Sequence, residues 1–369
     1  LQMMLSVFTA TVLIANICGV NTAAALVGAG LSTIVYALVT KFQSPMMISN
    51  SGAYVAPVLA ALGMAGYTGV MIGGIVSFIV YAIFGLIFTK IPVDKIYNVF
   101  PKVLIGSVTM VIGINLMSFI PSYIGTAPAG IFVALFTVLC IALASHYLKG
   151  TLSLFPFLIG TLAGYAVSIP LGLVDFSVFN NVKLIQVPDF AFMNFTAVNW
   201  ATVIPIAILF FAFTVSAMME ALSDHAALGG IIGTDLYKKP GLGRIFLGEG
   251  VANLVGSAVG GLGQCSYGEG IATVGFSKCA SIYSVIGAAI LMIILGFIGP
   301  INAFISSIPS CVIGGGTACI LYGFIANSGV KMLQNVDFSN QKNLLILQKH
   351  YFNLLSDLIE SLVPTVWKI

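Results

Sequence analysis

The sequence predicts an all-α, polytopic membrane protein. Three observations carry that prediction: a composition short of charge, charge-free runs long enough to cross a bilayer, and basic residues that gather on one side of it. Of 369 residues, 59% are hydrophobic and 7% are charged, where a soluble globular domain runs at about 45–50% and about 25%. The mean hydropathy is +1.10. A water-soluble protein of this size cannot leave its surface so short of charge, which excludes a soluble enzyme. The net charge of +3 is small and dispersed, so nothing points to a nucleic-acid partner. The 40 glycines suit helices that pack closely in lipid.

No Asp, Glu, Lys or Arg occurs in residues 1–40, 42–89, 103–148, 150–174, 190–219 or 279–330. A helix needs about 20 apolar residues to cross a hydrocarbon layer of about 30 Å. The longest runs therefore hold two spans each, the shorter ones hold one, and the Gly-rich stretch 240–277 adds the rest. In order, the spans fall at 2–19, 22–40, 45–63, 67–89, 101–120, 128–147, 151–173, 200–223, 243–262, 264–277, 280–299 and 309–330. With the first starting in the cytoplasm, alternation places Lys41, Lys90, Lys95, Lys102, Lys149, Lys238, Lys239, Arg244, Lys278 and Lys331 on the inner side. Lys183 alone falls outside, in the connection 174–199, which is the bias expected of a multi-pass protein of the inner (cytoplasmic) membrane. That connection alternates loosely through Phe176, Val178, Val182, Leu184 and Gln186, and is expected to form a short external hairpin.

The chain opens on Leu1 directly into a span, so its N-terminus is expected to begin upstream; no cleavable signal is visible. Six cysteines (Cys18, Cys140, Cys265, Cys279, Cys311, Cys319) show no C-x-x-C spacing and do not cluster with the three histidines. They read as small packing residues, and neither a metal, a disulfide nor a cofactor is expected.

Two spans are abnormal. The third, 45–63, runs from Pro45 through Ser49, Asn50, Ser51 and Gly52 to Pro57, so only its second part can be ordinary helix. The tenth, 264–277, contains Gln264, Ser266, Tyr267, Gly268, Glu269 and Gly270. Polar, Gly-rich backbone at membrane depth is tolerated only where it lines a cavity or lies buried in protein. A pair of interrupted spans, one in each half of the chain, marks the site of a secondary transporter built from inverted repeats. Their half-helix N-termini aim free N–H groups at carbonyl or anionic atoms of a ligand.

Glu220, Asp224, Glu249 and Glu269 lie in or beside spans, and a carboxylate at that depth is costly enough to need a reason. Glu220 and Asp224 are four residues apart, one turn along a single helix face. Two such groups in low dielectric cannot comfortably both ionise, which makes the pair a natural proton-coupling site. Glu269 begins the second half-helix, where a carboxylate can accept two N–H bonds from a cyclic imide or amide. Glu249, with Arg244 nearby, reads as a structural group, and His225 as an interfacial residue at the inner end of its span. An intramembrane enzyme is the rival class, but no G-x-G-D, H-E-x-x-H or Ser/His pairing within one span appears. A channel is the other rival, and nothing resembles a repeated selectivity filter.

At these residues the chain resembles the nucleobase–cation symporter family 2, the nucleobase–ascorbate transporters that include uracil and xanthine permeases, and is most similar to the uracil branch. The resemblance rests on Phe8-Thr9-Ala10-Thr11-Val12-Leu13, on Glu220 followed by Asp224-His225, and on Gly233-Thr234-Asp235-Leu236. It continues through Pro240-Gly241-Leu242 and Ser266-Tyr267-Gly268-Glu269, and closes at Leu321-Tyr322-Gly323 with Ser328-Gly329. The family implies fourteen spans in two inverted repeats of seven, with short strands in the broken spans 3 and 10. A core domain would comprise 1–90 and 200–300, and a gate domain 91–199 and 301–369. It further implies proton-coupled uptake of a nucleobase by alternating access and a tendency to dimerise. Carried over, Glu220 and Glu269 would bond the ring N–H groups of uracil, while the backbone N–H groups of Gly52 and Gly268 meet its carbonyls. Tyr267 would wall the pocket, Tyr54 would be a further substrate-binding residue, Ala10 would pack beside the pocket, and Asp224 would hold the coupled proton.

The chain departs from that pattern in places. Gly52 stands where the uracil branch can carry Phe, which leaves room for a purine such as xanthine. Asp224 stands where well-known uracil carriers have His, and Gly270-Ile271-Ala272 replaces the usual Asn-x-Gly after Glu269. An acid at Glu269 favours uracil, since purine carriers usually have Gln there. After Leu347 the chain turns polar (Gln348-Lys349-His350, then Asp357 and Glu360), so spans 13 and 14 are expected to be missing or degenerate.

Overall fold

The computed structural model of the protein describes residues 2–90 and 120–322 apart from 151, 153, 154 and 181, together with single positions at 103, 333, 336, 339, 341 and 345. Most of the span expected at 101–120, the end of the span at 309–330, the segment 348–369 and the side chain of Glu269 lie outside the described residues.

α1 (Gln2–Cys18) and α2 (Thr22–Val39) are the first two spans. Asn21 caps α2 by accepting the Ala24 N–H at 2.9 Å, a role its short amide fits well. The chain then runs extended into β1 (Ile48–Asn50), a 3-10 turn at Gly52–Tyr54 and α3 (Val55–Phe88). α3 joins two expected spans across a kink at Ala65 and Gly66; Gly66 has φ 59°, a left-handed value that glycine takes without a Cβ clash. α4 (Ile120–Ile124), α5 (Pro128–Tyr147) and α6 (Pro156–Ser168) follow. α5 and α6 both begin on proline, whose missing N–H is lost at no cost in a first turn.

The connection after α6 holds two 3-10 turns, Phe176–Phe179 and Ala191–Asn194, rather than the expected hairpin. Ile185 forms a bridge with Ile298 instead. There Gln186 N–H donates to Phe297 C=O at 2.9 Å and Gly299 N–H to Leu184 C=O at 3.0 Å. The strand-like stretch thus finds its partner at a distant turn.

α7 (Trp200–Ile232) carries the eighth span more than two turns beyond its expected end, and stops at Gly233 with φ 69°. α8 (Leu242–Gly260), β2 (Gln264–Ser266), α9 (Gly268–Ser277), α10 (Ile282–Phe297), α11 (Gly299–Ser306) and α12 (Ser310–Tyr322) complete the described chain. Trp200 and Tyr283, 80% and 81% exposed, stand in the first turns of α7 and α10.

The helices pack in two groups. α8 lies at the centre of the larger one, against α2 and α3, with α10 on α2 and α7 on α3. In the smaller, α5, α6 and α12 lie together around Val133, Cys311 and Val312. Without water to drive burial, close backbone approach supplies the attraction. A Cβ added at Gly30 of α2 would sit 2.6 Å from the Ala289 carbonyl oxygen of α10. Gly30→Ala is therefore expected to lower the thermal midpoint in detergent, at a cost of about 1–3 kcal/mol. Gly63→Ala, whose new Cβ meets nothing within 4 Å, should leave the midpoint unchanged or slightly higher. Equal stability of the two variants contradicts the packing.

Candidate functional site where the broken spans cross

β1 and β2 pair antiparallel, with Ile48 opposite Ser266, Ser49 opposite Cys265 and Asn50 opposite Gln264. The ladder extends at both ends through Tyr267 N–H to Met47 C=O at 3.1 Å and Ser51 N–H to Gly263 C=O at 3.0 Å. Each broken span thereby satisfies peptide groups of the other, which lipid cannot do.

Buried side chains pin this crossing to the helices around it. Thr33 Oγ1 both donates to Ile48 C=O (2.7 Å) and accepts its N–H (3.0 Å). Thr11 and Ser49 share a hydroxyl bond at 2.6 Å. Asn50 Nδ2 donates to Thr11 C=O (3.1 Å), Gln264 Nε2 to Asn50 Oδ1 (2.8 Å), and Asn253 Nδ2 to Gln264 C=O (2.7 Å). α1, α2, α8 and both strands are joined in one network.

Beyond the crossing, two helices start. The 3-10 turn opens at buried Gly52, where Ser51 Oγ accepts the Ala53 N–H at 3.2 Å. α9 opens at Gly268, an exposed residue following the nearly buried Ser266 and Tyr267. A Cβ at Gly268 would meet nothing within 4 Å, so its backbone borders open space. Glu269 is the second residue of α9. Ala10 of α1 is 4% exposed and packed in the core. Tyr54 is 1% exposed, stacked on Phe210 at 5.9 Å with its hydroxyl donating to Thr214 at 3.1 Å; it lies behind the crossing, against α7.

α7 brings Glu220 and Asp224, both half-buried. Ser266 Oγ donates to Asp224 Oδ2 at 3.0 Å, which fastens the carboxylate to the residue two before the exposed Gly268. Glu249 of α8 is fully buried on the other side. The Ser266 hydroxyl and N–H face its carboxylate, yet neither oxygen closes a well-formed hydrogen bond. Arg244 is exposed, and among the described residues no Lys or Arg forms an ion pair with Glu249. Arg244, near in sequence, therefore does not pair with Glu249. Glu220, Asp224 and Glu249 all lie within electrostatic reach of Cys265, so three carboxyl groups surround β2.

His225 also departs from expectation. It is fully buried rather than interfacial: α7 continues past it to Ile232 and the Tyr36 ring of α2 lies against it.

Sequence reasoning passed over Ser266 as a ligand of Asp224 and over Asn253 and Gln264 as braces. A signal for the α8 face was present: Glu249, Asn253 and Ser257 recur one turn apart, and each keeps a buried oxygen without a hydrogen bond. A cavity of about 450 Å³ opens elsewhere, beside Met3, Thr273, Ser277, Cys279 and Ser284, and includes none of the carboxylates.

Two half-helices crossing through short strands, with carboxylates against the crossing, define a secondary membrane carrier. Residues 1–348 match the permease family Xan_ur_permease, and the chain belongs to that family. It is 35% identical over 360 residues to the uracil permease of Bacillus caldolyticus, covering 94% of this chain and 82% of that one. It is 32% identical over 363 residues to the uracil permease of Bacillus subtilis (strain 168), with the same coverage. The putative pyrimidine permease RutG of Escherichia coli (strain K12) is 30% identical over 361 residues, 94% of this chain and 79% of that one. Among solved structures, the transmembrane domain of a cyanobacterium bicarbonate transporter, BicA, superposes with TM-score 0.69 at 16% identity, over 98% of this chain and 96% of that one. SLC26A9 superposes with TM-score 0.68 at 14% identity, over 96% and 61%. The fold is the inverted seven-plus-seven repeat of these transporters, and the chain is a multi-pass membrane permease, not an enzyme.

Gln264→Met keeps the volume but leaves Asn50 Oδ1 without its donor. An unmet buried acceptor costs about 1–3 kcal/mol, so the thermal midpoint in detergent should fall. A midpoint equal to the native one would remove Gln264 from the brace.

Proposed function

We propose that the chain is a proton-coupled nucleobase permease of the cytoplasmic membrane, with uracil as its substrate. The observation that carries this reading is the Ser266–Asp224 hydrogen bond: it joins a carboxylate on α7 to the strand that leads into the α9 N-terminus. A base with ring N–H donors and carbonyl acceptors suits such a place. Carboxylates of Glu220 and Glu269 accept from the ring, and the N–H groups at Gly52 and Gly268 donate to its carbonyls. Tyr267 and Tyr54 line and back the pocket, and Ala10 packs beside it. The names of the relatives, uracil and pyrimidine permeases, favour this class of substrate.

The proton follows from electrostatics. Carboxylates clustered in low dielectric resist carrying full charge together, and a charged core moving past an apolar gate meets a desolvation barrier. A proton on the Asp224/Glu220 pair, with Glu249 behind Ser266, neutralises the occupied site. Residues 1–90 with 200–300 can then move against 91–199 with 301–369 to release the base inside. The same reading includes a homodimer. Gly52 favours a second reading, a xanthine or purine permease, because a glycine there leaves more room than an aromatic residue would.

Labelled uracil uptake in cells lacking their own carrier tests the proposal. Uptake should collapse with a protonophore and persist in excess xanthine; uptake blocked by xanthine supports the second reading, and uptake indifferent to the protonophore contradicts proton coupling. Glu269→Ala should abolish uracil binding, and unchanged affinity would remove Glu269 from the site. Asp224→Asn should retain binding with its pH dependence lost; accumulation still driven by a pH gradient in that variant would overturn the role of Asp224.

A further inference from the structure

Next to Asp224, a chain of three buried side chains leads away from the carboxylates towards the inner face. His225, Tyr36 and Ser44 are each 0% exposed. His225 Nδ1 lies 2.7 Å from the Ala221 carbonyl, so this nitrogen carries a proton. Nε2 lies 2.6 Å from the Tyr36 hydroxyl, and that hydroxyl lies 2.9 Å from Ser44 Oγ. The Tyr36 oxygen is thus held between a base and a second hydroxyl. Ser44 is the first buried residue after the exposed Lys41 and Phe42, a turn on the inner side by the distribution of basic residues. The ring of Tyr36 rests on Gly248, where an added Cβ would sit 2.8 Å from Cδ2. That places Glu249, the next residue, within electrostatic reach of the Tyr36 hydroxyl.

A structural role alone would not need this set. A phenylalanine would fill the space of Tyr36, and a neutral amide would cap Ala221. A histidine whose one free nitrogen meets a hydroxyl that itself contacts a second hydroxyl has the parts of a proton relay. We propose that Ser44, Tyr36 and His225 form the path by which the coupled proton leaves the carboxylate cluster for the cytoplasm. This rests on the proton-coupled reading above.

The balance closes at each step. The O–H of the Glu249 carboxyl, the group within electrostatic reach of Tyr36, breaks and its proton passes to the Tyr36 oxygen as the Tyr36 proton moves to His225 Nε2, which gives an imidazolium. When the imidazolium returns its proton to Tyr36, the phenolic proton goes to Ser44, and the Ser44 hydroxyl proton is released towards the turn at Gln43, Phe42 and Lys41, where the chain reaches solvent. The carboxylate is left ionised, ready for the outward return, and the three relay groups regain their starting forms. The carboxylate that acts on this chain is Glu249 on α8; Asp224 and Glu220 stand one and five residues before His225 on α7, and Tyr237 donates its hydroxyl to Leu222 C=O, three residues before His225.

Net uptake needs proton release, whereas exchange of labelled for unlabelled base can run with the proton retained. Wild type, Tyr36→Phe, His225→Gln and Ser44→Ala would be compared in proteoliposomes by uracil counterflow and by net uptake under an imposed pH gradient. The expected result is counterflow within roughly twofold of wild type and net uptake lower by roughly tenfold or more, the scale on which a positioned proton carrier acts. His225→Gln keeps a hydrogen bond to Tyr36 but cannot take a proton, so it should show the same split. Loss of both modes together, or of neither, overturns the relay. Should Tyr36→Phe fail to reach the membrane, Ser44→Ala decides by the same two readings. Wild-type uptake that ignores the pH gradient sinks proton coupling and the relay with it; gradient-driven wild type with intact variants sinks the relay alone.

Discussion

Two helices interrupted at mid-membrane leave peptide groups that lipid cannot satisfy, and the pairing of β1 with β2 is what satisfies them. The pairing fixes how far each half-helix enters the protein, where its N-terminus ends, and which residues flank it. Three matched pairs alone, Ile48 with Ser266 through Asn50 with Gln264, would make a weak sheet. The Thr33, Thr11, Asn50, Gln264 and Asn253 bonds hold it to three helices. Because every member of that network is buried, loss of one leaves another unmet, and the crossing behaves as one unit.

From this crossing the electrostatics follow. Ser266 belongs to the strand, yet its hydroxyl serves a carboxylate on α7 and faces another on α8. Carboxyl groups on two helices are thereby held around one backbone segment that leads into a half-helix N-terminus. The α9 start contributes a partial positive charge, and the carboxylates contribute the opposite sign. That mixture of signs is why the proposed substrate is a neutral molecule with alternating donors and acceptors. In the proposed mechanism protonation changes that balance and so ties the charge of the site to the free energy of moving it.

Much of the fold was legible in the sequence. Among the described residues the charge-free runs fall on helices, Pro128 and Pro156 open helices where spans were expected, and the break between 63 and 67 is the kink at Ala65 and Gly66. Pro45 through Gly52 and Gln264 through Gly270 marked both half-helices, since polar residues and glycine have few uses at that depth. What the sequence hid was tertiary. His225 follows Asp224 near the inner end of a span, and its burial comes with the continuation of α7 to Ile232 and the contact of the distant Tyr36. Glu249 had Arg244 five residues away in sequence, but Arg244 is exposed and the carboxyl lies inside. Residues 174–199 alternate like a strand, and no local pattern tells that Ile185 pairs with Ile298. The segment 348–369 lies outside the described residues.

At the centre stands the claim that substrate and proton meet at one cluster organised by Ser266. Proton uptake on binding tests it most directly, measured by calorimetric titration of the purified protein with uracil in buffers of different ionisation enthalpy. The account predicts that binding takes up protons in the wild type and that Asp224→Asn binds uracil without that uptake. Binding with equal proton uptake in both proteins, or with none in the wild type, would contradict it.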